Sequence, residues 1–319
     1  MKSSRPVAVK VDVCICTHNP DYSVLRLAIA ALAAQSADAN TYRVTIIDNA
    51  STPPVPESVL EPLEARGVNS RIIREEKLGI AQARLRAAHE TDADWLCFID
   101  DDNVVTQTYI EAGEAYAANN SHVGAFGGRL LMPPTIPVRR HIKPFLPYLG
   151  IKDLGDIALA GPSTAWCEWE PPTAGSFVSR QVMNAFVLAT ERESNVLGLG
   201  RRGLNSSVSC EDSFIMRGAH GVGKSLAYVP QLILYHHLRL NRLKLGYLLK
   251  LLYGYGKSHV LLERCLNPAL QTPHYYKDFG ALIATLQSQV PIEARKSLAF
   301  AVGMAGYHIA SWRAYREPI

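Results

Sequence analysis

Hydrophobic positions along this chain fall into short unbroken runs separated by amphipathic stretches. The run Trp95-Leu96-Cys97-Phe98-Ile99 follows Asp94 and has no polar alternation. Such a run reads as a strand buried on both faces, the kind found in parallel α/β sheets. It leads straight into Asp100-Asp101-Asp102-Asn103. Residues 11–17 predict an earlier strand of the same kind, broken by Thr17-His18-Asn19-Pro20-Asp21. Residues 22–35 have helical spacing, with Leu25, Ile29 and Leu32 on one face beside Ala28 and Ala33. A second strand over 42–47 ends at Asp48-Asn49-Ala50-Ser51, before a proline-rich loop. A short helix over 56–66, a short strand over 71–74 and an alanine-rich helix opening at Lys77-Leu78-Gly79-Ile80 and running through His89 complete the first half. This β-α-β-α-β-α-β alternation predicts a mostly parallel, Rossmann-like central sheet with right-handed crossovers, flanked by helices.

Beyond the acidic residues the pattern predicts a helix over 107–118 and a strand over 123–131. Residues 133–172 hold eight prolines and little periodicity, which reads as a binding loop rather than a linker. Order resumes at Ala174-Gly175-Ser176-Phe177-Val178, with a helix near Gln181. A glycine- and arginine-rich loop over 198–205 precedes a helix over 210–217 capped by Ser209. Two strands, 226–230 and 232–236, finish the expected core, and the remainder reads as helical. The expected division is a catalytic domain over 1–237 and a helical C-terminal extension over 238–319.

The 319 residues suffice for one large α/β domain with an extension, and a 48% hydrophobic content supports a sizeable core. The six cysteines form no CxxC pair, so reduced, buried thiols in a cytoplasmic protein are expected. The first ten residues are basic and lack an apolar core, so no signal peptide is expected. The Asn-x-Ser sequons at Asn49, Asn119 and Asn205 then carry little weight. The net charge of +4 is uneven: residues 231–319 contain 11 Lys and Arg against 4 Asp and Glu. A basic tail on a mildly acidic body suggests an anionic partner.

Chemistry concentrates at the strand ends. Open α/β sheets bind ligands at the carboxyl ends of their strands, where Asp100, Asp101 and Asp102 fall. At ~5 Å and an effective dielectric of ~20, each like-charged pair costs on the order of 3 kcal/mol. A hard divalent cation, Mg²⁺ or Mn²⁺, would turn that repulsion into binding and would hold phosphates. Otherwise the residues are a solvated acidic turn. The first strand ends in Thr17-His18-Asn19 rather than a glycine-rich turn, which argues against a dinucleotide-binding domain and a sugar nucleotidyltransferase. Residues 218–225 match the P-loop pattern G-x-x-x-x-G-K-S, but a helix is expected before them and a strand after, the inverse of a P-loop. Glu211-Asp212 forms a second carboxylate site. Asp212 reads equally as a cap partner of Ser209 and as a base kept ionised by a helix N-terminus. His236 and His237 point to opposite faces of their strand, so one at most faces the site.

Taken in order, these motifs resemble the family 2 glycosyltransferases, inverting enzymes of the GT-A fold, over residues 11–237. The matching pieces are Thr17-x-Asn19, Asp48-Asn49-x-Ser51, Gly79-Ile80-Ala81-Gln82-Ala83-Arg84, Asp100-Asp101-Asp102, Gly175 before Arg180, Glu211-Asp212, and Pro230 followed by His236. The resemblance implies a sugar transferred from a nucleotide-diphosphate donor, a UDP-sugar, to the hydroxyl of a saccharide or lipid-linked acceptor. It puts Asp48 and Asn49 at the nucleobase with the Thr17–Asn19 turn, and Arg84 near the diphosphate. Asp102 is implied as direct metal ligand with Asp100 towards the ribose, Asp101 between them, His236 as a late metal ligand, and Asp212, beside Glu211, as general base. Leu85 stands where the family has Asn, and Lys77-x-Gly79 replaces Asn-x-Gly, adding a cation near the phosphates. Trp166 and Trp169 are candidates to stack on an acceptor, and Arg201 and Arg202 to bind an acceptor phosphate. The rival readings are a P-loop nucleotide hydrolase and a non-catalytic nucleotide-sugar binding module. No nucleic-acid partner is expected.

In the tail, Arg239, Arg242, Lys250 and Lys257 fall on one face of a continuous helix, within an ~80° arc at ~100° per residue. A basic amphipathic helix suggests peripheral attachment to the inner face of the cytoplasmic membrane, reinforced by a second apolar helix near 297–312. The alternative is a helix packed on the catalytic domain. No segment is apolar enough over ~20 residues to span a bilayer.

Overall fold

The computed structural model describes residues 10–162, 166–202, 208–267, 269, 273, 276–294 and 297–316. Asn205 and residues 1–9, on which one sequon and the leader expectation rest, lie outside them. The buried strands predicted from apolar runs form as β1 (Val11–Thr17), β2 (Tyr42–Asn49) and β4 (Trp95–Phe98), and the short strand expected over 71–74 forms as the half-exposed edge strand β3 (Asn69–Glu75). They are joined through α1 (Tyr22–Ala33), α2 (Glu61–Arg66) and α3 (Ile80–Glu90). There follow β5 (Asn103–Val105), α4 (Tyr109–Asn119), β6 (Val123–Leu131), β7 (Leu159–Gly161), β8 (Ser176–Ser179) and α5 (Arg180–Arg192). The chain continues through α6 (Glu211–Gly221), β9 (Ser225–His236), α7 (Leu245–Leu266), α8 (Phe279–Ala294) and α9 (Leu298–Ala314).

Among the described residues nine strands make one sheet in the order β3-β2-β1-β4-β8-β6-β9-β5, with β7 also on β9. The half β3-β2-β1-β4 is parallel throughout. All its carboxyl ends therefore point the same way, and the loops after β1, β2 and β4 meet on one edge. Val13 and Ile15 of β1 pack under α1, with Leu25, Ile29 and Leu32, while Cys14 faces α3 and α5 with Ala83 and Val182. Asp12 interrupts the apolar run and is fully buried; Arg43, directly opposite on β2, pairs with it at 2.7 Å. Cys14 and Cys16 lie on one face as expected, and none of the six cysteines forms a disulfide.

The second half of the sheet departs from the expectation in two places. β5 and β7 are three-residue strands that no run predicts, and β9 is one strand where two were expected. Both short strands exist through antiparallel pairing with β9. The inverted P-loop order is as anticipated: α6 ends at Gly221 and Ser225 begins β9, while Lys224 Nζ donates to the Ser121 carbonyl at 2.5 Å.

The tail is not one amphipathic helix. Arg239 caps a separate 3-10 turn, Leu240–Leu243, and Lys244 is extended before α7 begins. The four expected cations therefore share no helical face. The proline-rich stretch contains a 3-10 turn, Lys143–Leu149, whose Phe145 and Leu149 pack with Leu248 and Leu252 of α7 and Phe300 of α9. The α7–α9 contact is close enough to exclude a methyl group: a Cβ on Gly256 would lie 2.1 Å from the Tyr307 carbonyl oxygen. Gly256→Ala is expected to destabilise the fold by about 1–3 kcal/mol, the usual cost of overpacking. Urea denaturation measures it, and an unchanged midpoint would contradict the contact.

Candidate active site

β4 ends one residue before the carboxylates begin. Asn103, fully buried, holds the turn between them: its N–H donates to the Asp100 carbonyl at 3.0 Å and its side chain accepts from the Asp100 N–H at 3.2 Å. The pairing of β5 with β9 sets Asn103 opposite His236. As a result His236 Nε2 lies 3.3 Å from Asp102 Oδ1, and Arg242 lies 3.6 Å from Asp102 Oδ2. His237 contributes its backbone N–H to the Asp102 carbonyl at 2.8 Å, while burial pushes its imidazole pKa down.

The three carboxylates sit in three electrostatic situations. Burial opposes ionisation of Asp102, but His236, Arg242 and Arg239 overcome it and hold its carboxyl below the usual range. Burial raises Asp100, and the charge of Asp102 adds to it against Arg84, His236 and Arg242. Asp101 is pushed up to about 6 by burial and by its two neighbours, although the Thr17 hydroxyl donates to it.

The turns after β1 and β2 form one rim of this edge. Asn19, at a φ of 50°, donates its N–H to Ser51 Oγ at 2.9 Å and accepts from the Thr52 N–H at 2.8 Å. Asp48 is 1% exposed. Its carboxylate accepts from the N–H groups of Ser51 and Val55 and from Arg74 at 2.7 Å, so it organises the turn. Asn49 reaches the next loop, donating to the Lys77 carbonyl and accepting from the Gly79 N–H, each at 2.8 Å. Gly79 has a φ of 147°, which favours glycine, and lies against the Arg202 side chain. Lys77 is exposed beside it.

Arg84 occupies the floor rather than the open edge. It is 5% exposed and its guanidinium donates to the Glu211 carboxylate, itself 3% exposed. A buried pair of this kind anchors α3 to the start of α6. The residue after Glu211 is the half-buried Asp212, whose carboxylate accepts the Ser213 N–H at 2.8 Å. The expected Ser209 cap does not form: Cys210 is the N-cap, with no side-chain bond, and the Ser209 N–H donates instead to Ser258 of α7 at 2.9 Å. Gly175 and Arg180 are structural, Gly175 bonding the Phe98 carbonyl and Arg180 the carbonyls of Ala88 and Ala93.

Residues that the sequence did not single out converge on Asp212. Burial pushes the Lys152 ammonium pKa down against Glu170, Glu168 and Asp212, and Nζ donates to the Glu170 carbonyl at 2.6 Å. Glu170, 6% exposed, pairs with Arg217 of α6 at 3.2 Å, which also holds Glu263 of α7 at 2.8 Å. Burial, then the charge of Asp212, push the Tyr255 phenol up. The proline-rich stretch and α7 thus both close on the base candidate. Of its two tryptophans, Trp166 is 68% exposed, while Trp169 packs against the core.

Among the described residues no cluster of three or more metal-ligating side chains occurs. Asp102 and His236 nonetheless fit a divalent ion shared with a ligand. Both His236 ring nitrogens are buried without a hydrogen-bond partner, and its approach to Asp102 is not aligned as one. Mg²⁺ and Mn²⁺ sites commonly use one or two protein ligands and leave the other positions to phosphate oxygens and water.

Residues 12–161 match the model of glycosyl transferase family 2. That stretch, just under half of the chain, is a family 2 glycosyltransferase domain. The matched stretch carries Asp48, Gly79, Arg84 and the three acids, and stops short of Asp212 and His236. Among curated proteins none matches the chain. Among solved structures, S. aureus TarS 1-349 in complex with UDP is 12% identical with a TM-score of 0.52, the match covering 97% of this chain and 91% of that one. The same protein in complex with UDP-GlcNAc gives 13%, a TM-score of 0.50, and coverage of 97% and 92%. These likenesses bear on the fold, a GT-A arrangement of curled sheet and flanking helices, and extend over the C-terminal helices of the glycosyltransferase.

Removing one partner of the Arg84–Glu211 pair strands a buried charge, at about 3–5 kcal/mol. Arg84→Met is therefore expected to lower stability by that amount, and Arg84→Met with Glu211→Leu to recover most of it. Denaturant unfolding of the two variants checks this, and equal losses would contradict the pairing.

Proposed function

We propose that this glycosyltransferase is metal-assisted and inverting, and that it moves a sugar from a UDP-sugar to the hydroxyl of a saccharide or lipid-linked acceptor. The observation that carries the reading is the meeting of Asp102 and His236 across the β5–β9 pairing, with Arg84 between Asp100 and the Glu211-Asp212 start of α6. The nucleotide follows from the relatives in fold, whose structures hold UDP and UDP-GlcNAc. In this reading the turns after β1 and β2 hold the nucleoside. Lys77 lies on the phosphate side, and Asp100 faces the ribose. Asp102 and His236 would hold the cation, which supplies Lewis-acid stabilisation of charge on the leaving diphosphate. Asp212 accepts the acceptor hydroxyl proton as the oxygen attacks the anomeric carbon; the carbon–oxygen bond to the diphosphate breaks with its electron pair. Glu211 does not take that proton: with Arg84 it fixes the start of α6. Attack opposite the leaving group inverts the anomeric centre.

A helix N-terminus favours an ionised carboxylate, which suits Asp212 to this task. Asp212→Asn is expected to lower transfer by about 10²–10⁴-fold while UDP still binds, the usual share of a general base. Lys224→Ala is expected to leave transfer within about twofold, because Lys224 caps the Ser121 carbonyl on the far side of α6. Full transfer by Asp212→Asn, or its loss in Lys224→Ala with the fold intact, would overturn the assignment. A panel of nucleotide sugars with Mn²⁺ or chelator, read by thermal shift and hydrolysis, identifies the donor.

For the tail, the reading keeps a peripheral membrane role but moves it from α7 to α8 and α9. Phe279 and Ile283 on α8, and Leu298 and Val302 on α9, are exposed in i, i+4 pairs. Among the described residues no helix is long and apolar enough to cross a membrane. With the positive excess of residues 231–319, these side chains suit an anionic bilayer surface. The protein is expected to float with anionic vesicles, and a Phe279→Glu, Leu298→Glu, Val302→Glu variant to remain in the soluble fraction. Equal flotation of both would contradict it.

A further inference from the structure

The turn Leu240–Leu243 passes beside the acid cluster, with Leu243 packed against the cluster of Ile142, Phe145 and Leu248 on one side and Arg242 turned to Asp102 on the other. It has no buried residue, and Leu240 at its start is 67% exposed. Its backbone ties are local, from the Arg242 N–H to the Arg239 carbonyl and from the Lys244 N–H to the Asn241 carbonyl. The side-chain tie from the turn to the site is the 3.6 Å approach of Arg242 to Asp102 Oδ2. On the other side of the same carboxylate stands His236, 3.3 Å from Oδ1. The Arg242 charge also faces Asp100, and Arg239 faces Asp101 and Asp102. Among the described residues Arg242 has no other acidic partner within 4.0 Å.

His236 faces one oxygen of Asp102 and Arg242 the other. A divalent ion held between Asp102 Oδ1 and His236 would place its charge beside the Arg242 guanidinium, and like charges that close repel. The guanidinium contact is long and about one-third exposed, the kind of pair that contributes little and yields easily. Three adjacent carboxylates still require a compensating charge when no metal is bound, and the arginine supplies it from within the chain.

We propose that Arg242 is a built-in stand-in for the divalent cation: it holds Asp102 and tethers the Leu240–Leu243 turn over the acid cluster, and is displaced when metal binds. Metal loading then frees the turn that leads into α7. The tether therefore couples the acid cluster to α7, the helix whose Ser258 holds Ser209 and whose Tyr255 feels the charge of Asp212. This inference rests on the metal site proposed above.

The experiment measures Mn²⁺ binding to the full chain without nucleotide, by the loss of the free-ion electron paramagnetic resonance signal. Arg242→Gln is expected to bind Mn²⁺ about threefold to fivefold more tightly than the wild type, the order of a displaced exposed ion pair. Arg239→Gln, which removes the same charge without the 3.6 Å contact, is expected to gain distinctly less. In the wild type, amide hydrogen exchange across residues 240–244 is expected to speed up when Mn²⁺ is added. That arm needs no substitution and stands even if Arg242→Gln folds poorly. Unchanged Mn²⁺ affinity in Arg242→Gln, an equal gain in Arg239→Gln, or exchange in the wild type that ignores Mn²⁺ would each overturn the tether while leaving the metal site in place. Absence of Mn²⁺ binding in every form would overturn both.

Discussion

Three residues of antiparallel pairing, β5 against β9, decide where the chemistry of this protein can occur. The acids end one strand, and the histidine ends another more than a hundred residues later. Only their pairing, with Asn103 opposite His236, sets the imidazole 3.3 Å from Asp102. The pairing depends in turn on a short β5 that has no hydrophobic period of its own and survives because β9 supplies its partner. Backbone geometry carries the burden here, since the side chains at this edge repel one another.

The rest of the structure distributes negative charge. Asp48 is neutralised by backbone N–H groups and Arg74, Glu211 by Arg84, Glu170 by Arg217, and Asp102 by Arg242. Asp101 accepts from the Thr17 hydroxyl, which favours its ionised form, but burial and its two acidic neighbours outweigh that and make its proton harder to lose. Asp212 accepts the neighbouring Ser213 N–H within its own helix turn, and it stands at the start of α6 with Lys152 nearby. Carboxylates with full sets of internal partners hold loops in place. Those with few remain available to a ligand.

Continuous apolar runs made β1, β2 and β4 legible, because a strand covered on both faces needs no alternation. From them the parallel half-sheet and its ligand-bearing edge follow. The order of short motifs led to the family, and the inverted surroundings of residues 218–225 disposed of the P-loop. What remained hidden was set by partners distant in the chain. β5 and β7 are too short for any period. Ser209 has the composition of a cap, yet its N–H goes to Ser258. Arg242 continues the helical spacing of α7 on paper, but Lys244 is extended, at φ −71° and ψ 136°, and turns the arginine towards the acids. Arg84 and Asp48 carry the right chemistry for a donor site. The folded chain uses both in its own framework, which spacing alone does not reveal.

The proposed chemistry requires a cation and a nucleoside diphosphate to meet at the carboxyl end of β4. Crystals grown with UDP and Mn²⁺ test this directly through the anomalous scattering of manganese. The expected result is one peak touching Asp102, His236 and the UDP phosphates. Ordered UDP whose manganese peak contacts neither residue would contradict it.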